Sequence, residues 1–219
     1  QNPIHSILRI PSRMDGMTRT PESVWKHLLE ANHRFMEGQS AHPNQDPSRR
    51  EKLTAGQNPA VVVLSCSDSR VPVEIIFDQG LGDIFVIRTA GHITDLSVLA
   101  SLEFAVDSLG VSLVVVLGHE SCGAVKAAHS ALQGGDLPGG FQRVLVEKVT
   151  PSLLAARNDG QTEIEDLERR HVREIVNHIV DRSPEIKSRL NDGKVGVVGM
   201  RYHLGDGRAE VVVTKGVSE

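Results

Sequence analysis

The sequence has few aromatic residues and only two cysteines. Phe, Trp and Tyr make up 3% of the 219 residues, so a surface that stacks nucleic-acid bases on aromatic rings is not expected. The formal net charge of −4 leaves no excess of Lys and Arg for phosphate binding. Two cysteines are no disulfide framework in a chain of this length, and metal ligation or catalysis is their more typical use. We therefore expect no nucleic-acid partner.

Long hydrophobic runs are also missing. No window approaches 18 uninterrupted apolar residues, so we expect no transmembrane helix and no membrane partner. Residues 1–20 lack the apolar segment of a secretory signal, and we interpret them as an N-terminal tail. Residues 21–219 have the length of a single α/β domain. The expected location is the cytoplasm.

Three apolar runs rich in β-branched residues predict buried parallel strands. They span residues 59–66, 84–88 and 111–117. Apolar residues at three- and four-residue intervals predict a helix over 95–109, between the second and third runs. A strand, a helix and a strand joined by short connections form a parallel βαβ unit.

The remaining segments are predicted to be mostly helical. An amphipathic helix is expected over 21–37, with Thr20 as its N-cap, and residues 39–58 are expected to form a loop with at most one short helix. Further helices are predicted from Cys122 to about Leu132, around 141–157 and over 162–182. The last two strand-like segments, VGVVGMRYHL and GRAEVVVT, predict a hairpin at the sheet edge. The predicted fold class is α/β, with a mainly parallel central sheet, flanking helices and an antiparallel edge.

Two polar motifs each follow a predicted strand: CSDSR at residues 66–70 and HESC at residues 119–122. The carboxyl ends of parallel strands meet at one edge of a sheet, which is where ligands bind. Cys66, His119 and Cys122 match a catalytic zinc ion in ligand type and in number. Cys122 precedes a predicted helix, whose dipole favours the thiolate that zinc ligation requires. The sequence therefore predicts a metal site, and zinc is the metal that it suits.

The pair of motifs CSDSR and HESCGAV resembles the two signature segments of the β-class carbonic anhydrases. The resemblance extends from about Pro21 to Val213. It implies one zinc ion per chain, held by Cys66, His119 and Cys122. It also implies that Asp68 and Arg70 are the paired catalytic residues beside the metal, with Asp68 able to act as a fourth ligand in a closed state.

The resemblance extends to substrate-binding positions. Gln57 matches a glutamine that offers an amide hydrogen bond to substrate, Phe85 matches an aromatic wall of the substrate channel, and Gly123 matches a glycine whose backbone approaches the substrate. Phe104 stands where many members have a tyrosine. Val63 replaces the tryptophan of members with an inhibitory bicarbonate pocket, so we expect no bicarbonate inhibition of that kind.

The family resemblance implies reversible hydration of carbon dioxide to bicarbonate and a proton. It also implies a homodimer or a tetramer of two dimers, in which the N-terminal helix reaches across to a partner and the channel lies at the subunit interface. Three alternatives stay open: a carbon disulfide or carbonyl sulfide hydrolase on the same scaffold, a non-catalytic bicarbonate-binding protein, and a thiol redox protein in which Cys66 pairs with Cys122. The charged run EIEDLERRHVRE is interpreted as a solvated helix face. His92 is not expected to relay protons.

Overall fold

A five-stranded sheet forms the centre of the molecule. In the computed structural model, which describes residues 19–218, the strands are β1 (Val61–Cys66), β2 (Ile84–Thr89), β3 (Leu113–His119), β4 (Gly196–Tyr202) and β5 (Ala209–Lys215). Their order is β2-β1-β3-β4-β5. The first four strands in this order pair in parallel, and β5 pairs with β4 antiparallel. The mainly parallel sheet with an antiparallel edge is therefore confirmed.

The inner strands are buried on both faces, as their continuous apolar runs predict. Strands β1, β3 and β4 have no exposed residue, whereas the edge strands β2 and β5 are partly exposed. Val61 and Val63 contribute to one hydrophobic cluster, and Val62 and Leu64 contribute to another. Successive side chains of a strand point to opposite faces, so the two clusters cover the two faces of the sheet.

Eight α-helices flank the sheet in the described part of the chain: α1 (Pro21–Met36), α2 (Pro47–Leu53), α3 (Val73–Ile76), α4 (Leu96–Glu103), α5 (Gly123–Leu132), α6 (Arg143–Asn158), α7 (Ile164–Arg182) and α8 (Pro184–Asn191). The predicted helices are confirmed, and Thr20 caps α1 by accepting the Ser23 amide at 3.1 Å. The helix predicted over 95–109 continues beyond α4 as a π-helical turn, Phe104–Ser108. None of the helices described is long and apolar enough to cross a bilayer.

Helices α3 and α8 were not predicted. Helix α3 has four residues, which are too few for an apolar period to show. Helix α8 did carry a start signal, since Ser183 caps it by accepting the Ile186 amide and Pro184 stands at its first position. The predicted tail of residues 1–20 lies, apart from Arg19 and Thr20, outside the described residues.

The apolar face of α1 packs on the sheet of its own chain. Trp25 and Leu28 are buried in the core, and the Trp25 indole donates to the Ser218 carbonyl at 3.0 Å. Asn32, also buried, donates to the Ile76 and Gly207 carbonyls. The apolar face of α1 is therefore covered within its own chain, and the contact of this helix with a partner stays a prediction.

Candidate metal centre

Strand pairing brings the three predicted ligands together. Cys66 ends β1 and His119 ends β3, and these parallel neighbours run in a register that sets Ser65 against Leu117. Cys122 is the N-cap of α5, so its side chain lies at the positive end of the helix dipole. The two Sγ atoms and an imidazole nitrogen all lie within 4.8 Å of one another, and all three residues are buried.

The turn between the second and third ligands presents one nitrogen of His119. Ser121 has φ of +55°, which reverses the chain so that Cys122 faces the imidazole. His119 Nδ1 lies 2.7 Å from the Glu120 carbonyl, so Nδ1 carries the hydrogen and donates it. His119 Nε2 is buried and has no hydrogen-bond partner among the described residues. An unpartnered acceptor nitrogen beside two thiols fits a soft or borderline divalent metal such as zinc.

The hydrogen bond between the two thiols shifts their pKa values in opposite directions. The hydrogen bond with the Cys122 thiol lowers the pKa of Cys66 to about 4, although burial opposes this. The same contact raises the pKa of Cys122, and burial adds to the effect. The two thiols differ in how readily they ionise, and a bound cation would favour the thiolate form of both.

Asp68 is held by Arg70 through two parallel hydrogen bonds. Arg70 Nε lies 2.9 Å from Asp68 Oδ1, and Nη2 lies 2.7 Å from Oδ2. These bonds hold the pKa of Asp68 well below its usual range, so the carboxylate is ionised. Asp68 Oδ2 lies 3.9 Å from His119 Nε2, close to where a metal would sit. The Arg70 side chain is 52% exposed, so its guanidinium faces solvent as well as Asp68.

Arg88, which the sequence analysis overlooked, fixes the loop that carries Asp68. Its guanidinium donates to the Cys66 carbonyl at 3.0 Å and to the Asp68 carbonyl at 2.7 Å. A cation that follows the apolar run IFVI at a strand end was the only signal in the sequence. These bonds satisfy the carbonyl of the last residue of β1 and a carbonyl of the loop that follows it.

Glu168 and His171 were also overlooked. Glu168 Oε1 accepts the Cys122 amide at 3.4 Å, and its other oxygen pairs with the buried Arg201 at 2.8 Å. The run EIEDLERRHVRE was interpreted as a solvated face, and that is wrong for these two residues: Glu168 is 3% exposed and His171 is fully buried.

A cavity of about 420 Å³ opens beside the ligands. Polar groups of Cys66 and Asp68 line one side of it, and apolar side chains such as Leu145 and Val146 of α6 line another. Gly123 also lines the cavity, and a Cβ atom placed there would meet nothing within 4 Å. Its backbone is therefore open to a small ligand in the cavity.

The other three predicted substrate-binding residues lie elsewhere in the chain. Gln57 precedes β1, whereas Cys66 ends it, and a strand of this length spans about 17 Å. Phe85 pairs in register with Val62 near the amino end of β1. Phe104 joins Phe85, with ring centroids 6.0 Å apart. Within one chain, these side chains lie toward the opposite end of the sheet from the ligands.

The fold and the donor set define a class of protein: a mainly parallel α/β protein with a site of two cysteine sulfurs and one imidazole at the carboxyl ends of its strands. The chain matches the family model described as carbonic anhydrase over residues 61–209. It is 52% identical over 189 residues to carbonic anhydrase 2 of Mycobacterium tuberculosis, a match that covers 86% of this chain and 91% of that protein. A carbonic anhydrase of Mycolicibacterium smegmatis is 52% identical over 191 residues, which cover 87% of this chain and 93% of that protein.

A solved structure of a tetrameric β-carbonic anhydrase from Sordaria macrospora is similar to this fold. The TM-score is 0.67 at 27% identity, and the match covers 89% of this chain and 100% of that chain. The structure of the β-carbonic anhydrase CcaA gives a TM-score of 0.66 at 27% identity, over 86% of this chain and 94% of that chain. The chain belongs to the β-class carbonic anhydrase family.

Purified protein is expected to carry one zinc ion per chain, because three donors converge on one point and His119 Nε2 has no other described partner. Elemental analysis checks this. Cys66→Ser and His119→Gln should each lose most of the metal, while His33→Gln, on an exposed position of α1, should keep it. Zinc retained in full by Cys66→Ser would contradict the assignment.

Proposed function

We propose that the chain catalyses the reversible hydration of carbon dioxide to bicarbonate and a proton, with zinc held by Cys66, His119 and Cys122. The observation that carries the proposal is the convergence of these three donors beside a carboxylate that Arg70 keeps ionised. The similarity to proteins named carbonic anhydrase supports the same activity. Zinc bound there would supply a Lewis acid that makes water a nucleophile near neutral pH.

The residues around the site have separate tasks in this reaction. Asp68 is ionised and can accept a hydrogen bond from the attacking water, which orients its lone pair toward the substrate. Arg70 keeps the carboxylate in this position by its paired hydrogen bonds. The Gly123 backbone borders the space for carbon dioxide, and Leu145 and Val146 give that space the apolar lining that suits a nonpolar substrate.

Stopped-flow measurement of carbon dioxide hydration on zinc-loaded protein tests the proposal. Turnover well above the buffer rate is expected, and Cys66→Ser should abolish it. The same preparation should release no sulfide from carbon disulfide or carbonyl sulfide. Sulfide release without hydration would assign the scaffold to that hydrolase reaction instead, and zinc binding without turnover of any of these substrates would indicate a bicarbonate-binding protein.

We also propose that the working unit is a homodimer, alone or paired into a tetramer, in which a second copy supplies Gln57, Phe85 and Phe104. The support is geometric, since these side chains lie toward the wrong end of the sheet to reach the ligands of their own chain. Strand β2, which carries Phe85, is also a partly exposed edge strand. The Sordaria macrospora relatives are themselves described as tetrameric.

Mixed dimers test this arrangement. Gln57→Ala and Asp68→Ala should each be nearly inactive alone. Co-expressed, they should recover about one quarter of wild-type activity, because half of randomly formed two-fold dimers are mixed and each mixed dimer has one complete site. No recovery in dimers that are shown to be mixed would place Gln57 in the site of its own chain, and a fully active monomer in light scattering would refute the dimer.

Arg70→Ala is expected to fold and to keep zinc, but to lose hydration activity by roughly 10–100-fold, the usual cost of removing an outer-shell partner. The released Asp68 carboxylate can then turn to the metal as a fourth ligand and block the open position. Arg70→Lys should fall in between, because it keeps the charge without the planar fork. The control is Arg189→Ala, which breaks half-buried ion pairs with Glu185 of α8 and with Asp107. Near-wild-type turnover in Arg70→Ala would show that Arg70 does not hold the site open.

A further inference from the structure

A chain of buried hydrogen bonds connects α6 and α7 to the sulfur of Cys66. Ser152 Oγ lies 2.8 Å from His171 Nδ1, and His171 Nε2 lies 3.0 Å from the Gly91 carbonyl oxygen. The Gly91 amide in turn donates to Cys66 Sγ at 3.2 Å. Ser152 is 4% exposed and His171 is fully buried, so water does not compete for these bonds. Ser152, His171 and Gly91 are not among the predicted metal ligands.

The directions of these bonds follow from their chemistry. A carbonyl oxygen only accepts, so His171 Nε2 carries the ring hydrogen and donates it to Gly91. Nδ1 must then be the acceptor, and the Ser152 hydroxyl donates to it. Burial lowers the pKa of His171 to about 4, which leaves the ring neutral near pH 7. In the neutral ring, Nε2 is therefore a hydrogen-bond donor and Nδ1 is an acceptor.

Gly91 links the hydrogen bonds of Ser152 and His171 to the sulfur of Cys66. Its φ of +69° is in the left-handed region, and a Cβ atom at this position would lie 2.6 Å from the Cβ of Ala124. Glycine permits the turn but does not hold it, since it also has the widest conformational freedom. The bond from His171 supplies the missing restraint, because it anchors the carbonyl of the same residue whose amide points at Cys66.

We propose that His171, supported by Ser152, is a positioning residue that holds the Gly91 amide against Cys66 Sγ and so sets how strongly this thiolate donates to the metal. An N–H···S hydrogen bond draws electron density from the sulfur and stabilises its charge. Outer-shell partners of this kind orient ligands and tune the metal that they hold. The inference rests on the proposed function, because it requires a metal at this site.

The test uses the full chain with His171→Leu, which removes the donor to Gly91, and Ser152→Ala, which removes only the bond to Nδ1. Val176→Ala is the control, because Val176 is equally buried on α7 but packs beneath Gly199 of the sheet. Zinc affinity is measured by competition with a chromophoric chelator. The sulfur-to-cobalt charge-transfer absorption of the Co²⁺-substituted protein reports the electron density on the thiolates.

We expect His171→Leu to weaken zinc binding by roughly 10–100-fold, because the Gly91 amide no longer orients Cys66 or stabilises its thiolate against protonation. It should also move the charge-transfer band to longer wavelength, because a sulfur without its hydrogen bond is a better donor. Ser152→Ala should shift the band in the same direction by less. Val176→Ala should lower thermal stability without moving the band, which separates positioning from general loss of packing.

An unmoved band and a zinc affinity within twofold of wild type in His171→Leu would overturn the inference, as would an equal shift in Val176→Ala. If His171→Leu does not fold, Ser152→Ala decides, and an unmoved band in that variant has the same meaning. Wild-type protein that binds neither zinc nor cobalt would overturn the proposed function and this inference with it. Wild-type protein that binds both, with variants that match it, would overturn the inference alone.

Discussion

The parallel pairing of β1 with β3 is the interaction on which the metal centre depends. It brings the last residues of both strands, Cys66 and His119, to one edge of the sheet. The register is set by packing, because alternate residues of β1 belong to hydrophobic clusters on opposite faces. A slip of one residue would exchange the two faces and displace the sulfur from the imidazole. The packing that stabilises the sheet therefore also fixes the distance between two ligands.

Helix α7 carries no predicted metal ligand, yet its side chains are hydrogen-bonded to two of the ligands. The bond to Cys122 is direct, and the link to Cys66 runs through Gly91. Glu168 accepts the amide of Cys122, and His171 holds the turn whose amide points at Cys66. Burying a carboxylate is costly, and the buried Arg201 offsets that cost by pairing with it. Buried polar residues of α7 therefore position the groups around the candidate metal site through hydrogen bonds. The apolar residues of the same helix pack on the sheet.

The strands and the convergence of Cys66, His119 and Cys122 could be predicted because they leave local signals: continuous apolar runs, each followed by a polar motif. The role of α7 was missed because its charges were counted without regard to helical faces. Glu168, His171 and Ile175 follow one another at three- and four-residue spacing, and all are buried. That spacing was visible in the sequence, whereas the bond of His171 to a residue 80 positions earlier depends on tertiary packing. The exposure of Arg70 likewise follows from how the loop leaves the sheet.

The placement of Gln57 has a consequence for catalysis under the proposed function. One chain supplies the metal ligands, the Asp68–Arg70 pair and an apolar cavity, so it can hold zinc and orient water. Gln57, the amide donor that the family resemblance implies, lies toward the other end of the sheet, because it precedes β1 and the ligand Cys66 ends it. Metal binding is then a property of the single chain, while turnover is a property of the assembly. A substitution on the exposed edge of β2 could therefore stop hydration and leave zinc in place, which separates loss of assembly from loss of the metal.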